Sequence, residues 1–343
     1  MHPKKSLLPL LALVSLNAYA FKALPLKVPV PADNPMTPAK IELGKKLYFD
    51  PRLSIDGTIS CNSCHNVMSD GADGRPVGVG VRGQRGGRGS PTVWNSAFNT
   101  VQFWDGRALS LEEQAKGPIT NPVEMGMPNH ALAVERLKDI PGYVAEFKKV
   151  FPKEKDSLTI DTVAKAIATY ERTLITPNSP FDKYVRGNKK AMTAQQIKGM
   201  KLVDEIGCTS CHTGDNFSGD GFKMGEGNYQ PFPQIPGSKY DKMYDLTADL
   251  GRFDVTKNAE HKNHWRVPTW RNIALTAPYF HNGKVKTLDE AVRVMAKAQL
   301  DLDLKDDQVN DIVAFLHALT GEFPKQTMPI LPPTLGKTHT PEP

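Results

Sequence analysis

Two short motifs carry the strongest chemical signal in this 343-residue chain: Cys61-Asn62-Ser63-Cys64-His65 and Cys208-Thr209-Ser210-Cys211-His212. Together they use all four cysteines. Two thiols three positions apart can reach the two vinyl groups of one haem, and the next histidine then lies where its imidazole can bind the iron. Other readings account for less. A disulfide does not explain a histidine after each pair. A zinc site needs the two pairs to converge on one metal across a long gap. A thioredoxin-like motif sits in a βαβ unit, and none is visible. The repeated pattern therefore points to two covalently attached c-type haems, one on Cys61, Cys64 and His65, the other on Cys208, Cys211 and His212.

A haem with two strong axial ligands moves electrons, whereas one with an open side binds a small oxidant. The residues facing His65 and His212 therefore decide the chemistry. For His212 the best candidate is Met295, C-terminal to the motif, where a Met/His pair would raise the reduction potential. Met295 also reads as a core residue, because methionine commonly fills core gaps and Val292 and Val294 are close by. For His65 no ligand is evident. The run Gly78-Val79-Gly80-Val81-Arg82-Gly83 has no His, Met or Lys, and Met68 is too near in sequence to fold over.

The elements that must position these groups read as helices. Apolar spacing and caps predict helices over 37–49, 132–150 with a break at Pro141, 159–174, 193–206, 287–298 and 306–319. Thr37 is the cap of the first, with Pro38 in its first turn. Alternating strand runs are few and short. The expected fold is mainly α, with two cytochrome c-like domains, each carrying one covalent c-type haem, and long loops. Each motif follows a helix containing a related run, Gly44-Lys45-Lys46-Leu47 and Gly199-Met200-Lys201-Leu202, which suggests a weak internal repeat. The turn-rich stretch 176–188 suggests domains over 21–180 and 181–322, with a Pro- and Thr-rich surface tail over 323–343.

Residues 1–20 read as a cleavable signal peptide: Lys4 and Lys5, a short apolar run from Leu7 to Val14, then Ala18-Tyr19-Ala20. The apolar run is too short to span a bilayer. This predicts an exported, periplasmic protein with no membrane insertion. Loss of Lys4 and Lys5 takes the net charge from +6 to +4, and two haems with their propionates bring it closer to neutral. With no basic stripe, nucleic-acid binding is not expected. Arg82, Arg85 and Arg88 read as a solvated or propionate-pairing loop.

At this point the chain closely resembles the bacterial di-haem cytochrome c peroxidases. The resemblance runs from Glu42 to Leu316 and includes Pro91-Thr-Val, Gln102-Phe-Trp-Asp-Gly-Arg107, Glu113-Gln-Ala-Lys-Gly-Pro118, Asn121-Pro-Val-Glu-Met125, Val267-Pro-Thr-Trp-Arg-Asn272, Pro278-Tyr-Phe-His281 and Glu290-Ala-Val-Arg-Val-Met295. It implies that the first haem is the low-potential peroxidatic one and the second the electron-transfer one with Met295 as ligand. It implies that Trp104 lies between the haems and that Gln114 and Glu124 stand over the peroxidatic iron. Glu124 would move a proton between the two peroxide oxygens, and Gln114 would orient the peroxide. The implied reaction reduces hydrogen peroxide to water with electrons from a small c-type cytochrome or a copper protein, and the implied assembly is a homodimer.

Two positions depart from the family's pattern. Val81 stands where many members have a histidine that blocks the resting peroxidatic iron, so that iron is expected to be open at rest. Gly89 stands where the family places an asparagine on a calcium ion. The carbonyl ligands at Thr276 and Pro278 look preserved, so calcium remains plausible with water in place of the side chain. A related branch also lacks the histidine and oxidises residues of a partner protein, typically with Tyr in place of the methionine ligand. Met295 favours the peroxidase. A pure electron carrier is the third reading, which Trp104, Gln114 and Glu124 oppose. His281, in a family motif, is expected near a haem or the domain interface.

Overall fold

The computed structural model describes residues 21–335; the signal peptide read over 1–20 and the last part of the tail, 336–343, lie outside the described residues. The chain is mainly helical. Its helices are α1 (Pro38–Phe49), α2 (Cys61–Cys64), α3 (Leu111–Thr120), α4 (His130–Lys138), α5 (Pro141–Val150), α6 (Ile160–Glu171), α7 (Pro180–Val185), α8 (Ala194–Glu205), α9 (Lys239–Met243), α10 (Phe253–Thr256), α11 (Leu288–Leu300) and α12 (Asp306–His317). Two short strands, β1 (Tyr229–Pro231) and β2 (His264–Arg266), pair antiparallel with Gln230 opposite Trp265.

Local chemistry sets the helix starts. The Thr37 hydroxyl accepts from Lys40 N and Pro38 occupies the first turn of α1, which leaves no orphan donor at the proline. Thr159 and Thr193 form capping boxes at α6 and α8. Pro141 divides the 132–150 region into α4 and α5, as its missing N–H requires. Helix α3 has no counterpart in the sequence reading. Its last turn contains Gly117 and Pro118, two poor helix formers that mask a ten-residue helix started by the Ser110 cap.

Two cores result. The first gathers Leu43, Leu47, Tyr48, Trp94, Tyr143, Phe147, Ile167 and Tyr170. The second gathers Phe181, Met200, Phe217, Val294, Ile312 and Phe315. Each such buried side chain contributes about 1.5–3 kcal/mol. Each core rests on one close helix crossing, α1 on α6 and α8 on α12. The crossings depend on glycine. A Cβ on Gly44 would collide with the Ala166 carbonyl and approach Tyr170 Cβ at 3.1 Å; one on Gly199 would collide with the Asp311 carbonyl and approach Phe315 Cβ at 3.0 Å.

The chain ends cross over. Phe21 packs on Phe181, Phe217 and Phe315 of the second core, and Leu24 N donates to Asp182 Oδ1 at 2.8 Å. That carboxylate also pairs with Arg271, both side chains being fully buried. The C-terminal segment returns to the first core. Phe323 meets Trp94 edge-on at 4.9 Å, Tyr170 donates to Gln326, and Arg52 donates to the Pro332 carbonyl. The described part of the tail, 323–335, thus runs along the surface of the first half, anchored by these contacts.

A second internal correspondence is stronger than the one visible around the cysteines. Residues 91–118 and 268–295 run in register without a gap. Both begin Pro-Thr. Asn95 and Asn272 are left-handed, as are Phe103 and Phe280, then Gly106 and Gly283. The bridge Gln102–Ala108 matches Tyr279–Val285. Ser110 caps α3 where Thr287 caps α11. A left-handed phenylalanine is uncommon enough that its repetition marks a shared turn rather than chance.

Candidate functional site

The first motif opens onto a cavity of about 390 Å³, lined among others by Cys61, Cys64 and His65. Helix α2 carries the two cysteines, and the Ser60 cap and Ser63 side chain fix its start. None of the four cysteines forms a disulfide. Burial pushes the Cys61 thiol well up and the Cys64 thiol up to about 11, with nearby carboxylates adding to the shift. Two thiols free of any disulfide beside this cavity suit thioether bonds to a porphyrin.

The histidines are oriented alike. His65 Nδ1–H donates to the Pro91 carbonyl at 2.8 Å, and Tyr48 holds the His65 carbonyl at 2.7 Å. His212 Nδ1–H donates to the Phe217 carbonyl at 2.9 Å, and its ring stacks on Trp270 at 4.3 Å. Burial lowers both pKa values, that of His212 to about 4, so each ring is neutral. A neutral imidazole whose Nδ1–H is taken by a carbonyl keeps the Nε2 lone pair for a metal. The cavity also holds Arg266, nearly fully buried. Its guanidinium donates to the Phe103 and Val267 carbonyls and to Asn99, and among the described residues it pairs with no carboxylate. Burial lowers its pKa to about 10. An unpaired buried cation is costly, and a propionate would neutralise it. Thiols, imidazole and arginine together fit a haem.

Gln114, Glu124 and Trp104 line this same cavity. Gln114 comes from α3. Glu124 comes from the turn after α3, where Asn121 Nδ2 donates to Glu124 Oε1 at 2.8 Å. Burial pushes the Glu124 carboxyl up, partly offset by the Arg107 charge and the Asn121 hydrogen bond. Trp104 lines the cavity and also packs on the second core, and its indole donates to the Gly89 carbonyl at 2.8 Å. It therefore touches both halves. Val81 is buried, and its N–H donates to the Glu124 carbonyl at 2.9 Å. Val79 and Gly80, not Val81, line the cavity.

Met295 lies on α11 and packs on the second core with Cys208 and Trp270. The register between the halves gives it a meaning that the sequence reading missed. Met295 occupies the position that Pro118 holds in the first half, and Pro118 lines the cavity. Ala291 likewise matches Gln114. One half thus carries a thioether where the other carries a ring that cannot ligate.

The interface between halves is polar. Arg88 forks onto Asp249 and also pairs with Asp105, while its guanidinium lies 4.9 Å above Trp265. His281 is buried and stacks on Trp265 at 4.1 Å, and its carbonyl accepts from Gly89 N at 2.8 Å. It lies at the interface, as its motif implied. Arg85 and Arg88 line the cavity and Arg82 does not; Arg82 and Arg85 are both exposed.

Comparison with known proteins agrees with this geometry. Residues 38–190 match the family model described as di-haem cytochrome c peroxidase. The chain is 47% identical over 321 residues to cytochrome c551 peroxidase of Pseudomonas aeruginosa, covering 94% of this chain and 90% of that one. It is 43% identical to the Nitrosomonas europaea protein of the same name, covering 92% and 90%. The methylamine utilization protein MauG of Methylorubrum extorquens is 35% identical, covering 90% and 86%. Among solved structures, a MauG-like protein associated with microbial copper homeostasis matches with TM-score 0.75 and 29% identity, over 88% of this chain and 94% of that one. The chain belongs to the di-haem cytochrome c peroxidase family.

Proposed function

We propose that the protein is a periplasmic di-haem peroxidase that reduces hydrogen peroxide to water with electrons from a small c-type cytochrome or copper protein. When bound, the first haem would supply an open iron for peroxide and the second a high-potential relay for electrons. Cys61, Cys64 and His65 hold the first; Cys208, Cys211, His212 and Met295 hold the second. Glu124 takes a proton from the inner peroxide oxygen and returns it to the outer one, so that the outer oxygen leaves as water. The Gln114 amide orients the peroxide, and the Asn121 hydrogen bond keeps one Glu124 oxygen pointed. Trp104 bridges the two halves on the electron path.

The observation that carries this reading is the asymmetry of the repeated segment. The first half places Gln114 and Pro118 around a cavity that also holds Glu124, where the second half has Ala291 and Met295. When the haems are bound, the first iron would be left accessible, and the Met295 thioether would close the second. The same methionine favours a peroxidase over an oxidase that modifies a partner protein. Among the described residues no helix is long and apolar enough to cross a membrane, which is compatible with an exported protein.

Calcium and a homodimer belong to the same proposal. Among the described residues no cluster of three His, Cys, Asp or Glu could hold a metal, so calcium would rest on carbonyls such as those of Thr276 and Pro278. Gly89 adds no side-chain ligand, but the carbonyls of Arg75, Pro76 and His281 gather within 3.9 Å of where its Cβ would stand. Carbonyl oxygens are ligands that calcium accepts.

A steady-state assay with peroxide and reduced cytochrome c tests the reading. The expected result is rapid oxidation of the cytochrome. A carrier would give no turnover, and an oxidase acting on a partner protein would turn over small donors poorly.

A further inference from the structure

A carboxylate that the mechanism above does not use faces the same cavity. Glu171, at the end of α6, lines it together with Gln114 and Glu124. Its side chain is 95% buried, and Oε2 has no hydrogen-bond partner. An unpaired buried carboxyl is expensive to keep unless it has a task. The helices hold it in place. Arg172, the next residue, forks onto Glu112 of α3 at 2.7 and 3.0 Å, which fixes Glu171 relative to Gln114, two residues along α3.

The second half shows that the fold does not need an acid here. Gly44 packs on Ala166 and Tyr170 as Gly199 packs on Asp311 and Phe315. That register sets Glu171 opposite Leu316, a buried apolar residue. The residues with hydrogen-bonding or proton-carrying side chains in the first half, Gln114 and Glu171, are thus both apolar in the half that only carries electrons.

We propose that Glu171 is a proton-delivery residue of the peroxidatic site, its carboxylic acid giving a proton through cavity water to the oxygen under reduction. This rests on the peroxidase reading. The reaction H2O2 + 2 H+ + 2 e− → 2 H2O breaks the O–O bond and needs two protons beyond those of the peroxide. Glu124 only relocates a proton already present. The electrons come from the donor protein, and the protons must reach the cavity from solvent. Glu171 supplies one and is then reprotonated from solvent. Burial pushes its carboxyl up to about 8, opposed by the Arg172 charge and reinforced by Glu112, so it enters the cycle carrying its proton. Tyr48, Tyr170 and Cys61, which also lie beside it, are themselves held neutral by burial.

The test compares the holoprotein with Glu171→Gln, Glu171→Asp and Glu171→Leu, the last being the residue of the other half. The infrared spectrum at neutral pH should show the carbonyl band of a neutral carboxylic acid that Glu171→Gln removes. With peroxide saturating, kcat of Glu171→Gln and Glu171→Leu should fall at least about tenfold, with KM for the electron donor unchanged. The solvent isotope effect should rise, and Glu171→Asp should recover part of the rate. An infrared band identical in wild type and Glu171→Gln overturns the proposal, as does an unchanged kcat in a wild type that turns over. A wild type without any peroxide turnover removes the peroxidase reading and this proposal together.

Discussion

At the scale of single residues, the site separates groups that hold from groups that react. His65 and His212 hold: each spends Nδ1–H on a backbone carbonyl and keeps Nε2 free. In the proposed mechanism Glu124 reacts, and it must be ionised to accept a proton. Burial raises its pKa above the ordinary 4.5 despite Arg107 and Asn121. A group with a raised pKa loses its charge sooner as pH falls. The acid limb of kcat/KM should therefore lie above pH 4.5 in the wild type, and Glu124→Gln should abolish that limb and lower kcat by roughly 10²–10⁴-fold. A Glu124→Gln enzyme with full activity, or an acid limb at the ordinary value, would remove this carboxylate from the chemistry. The cysteine motifs were plain in the sequence because the spacing itself is chemical. Gln114, Glu124 and Trp104 came only through family resemblance, since each alone reads as an ordinary polar or core residue. Glu171 was not legible: it is one of several polar residues of an amphipathic helix, and only the packing of α6 against α3 brings it to the cavity.

At the scale of elements, the site depends on how closely helices approach. Gly44 lets α1 rest directly on the α6 backbone beside Tyr170. Gly44→Ala should destabilise the first half by about 1–3 kcal/mol or more, because the added methyl has no free volume. Gly199→Ala should do the same to the second half, so the thermal unfolding of each variant should shift while its unaltered half still binds haem. Equal stability in both variants would mean that the crossings are looser than described. Caps and periodicity exposed α1, α6, α8, α11 and α12 in the sequence. Helix α3 stayed hidden because Gly117 and Pro118 lie within its last turn. Yet Pro118 is informative in three dimensions, since it stands where α11 has Met295.

At the scale of the whole molecule, two related halves share a polar interface and exchange their ends. The N-terminal segment lies on the second core and the C-terminal segment on the first. A chain ending at Glu322 loses Phe323 from Trp94 and the Pro332 carbonyl from Arg52. Burial of one aromatic side chain contributes about 1.5–3 kcal/mol. Its loss should lower the melting temperature of the first half by roughly 3–10 °C, read by calorimetry, whereas an unchanged melting temperature would make the tail an ornament. The sequence showed the halves through their cysteines but not this exchange, because which core a terminal segment joins depends on contacts far apart in the chain.

The proposed function requires two unlike irons, one that would stay open beside Gln114 and Glu124 and one that Met295 would close. Electron paramagnetic resonance of the fully oxidised holoprotein reads that difference directly. One high-spin signal together with one low-spin signal of His/Met type is the predicted result. Two low-spin signals would mean that a side chain already occupies the first iron, and the account would fail.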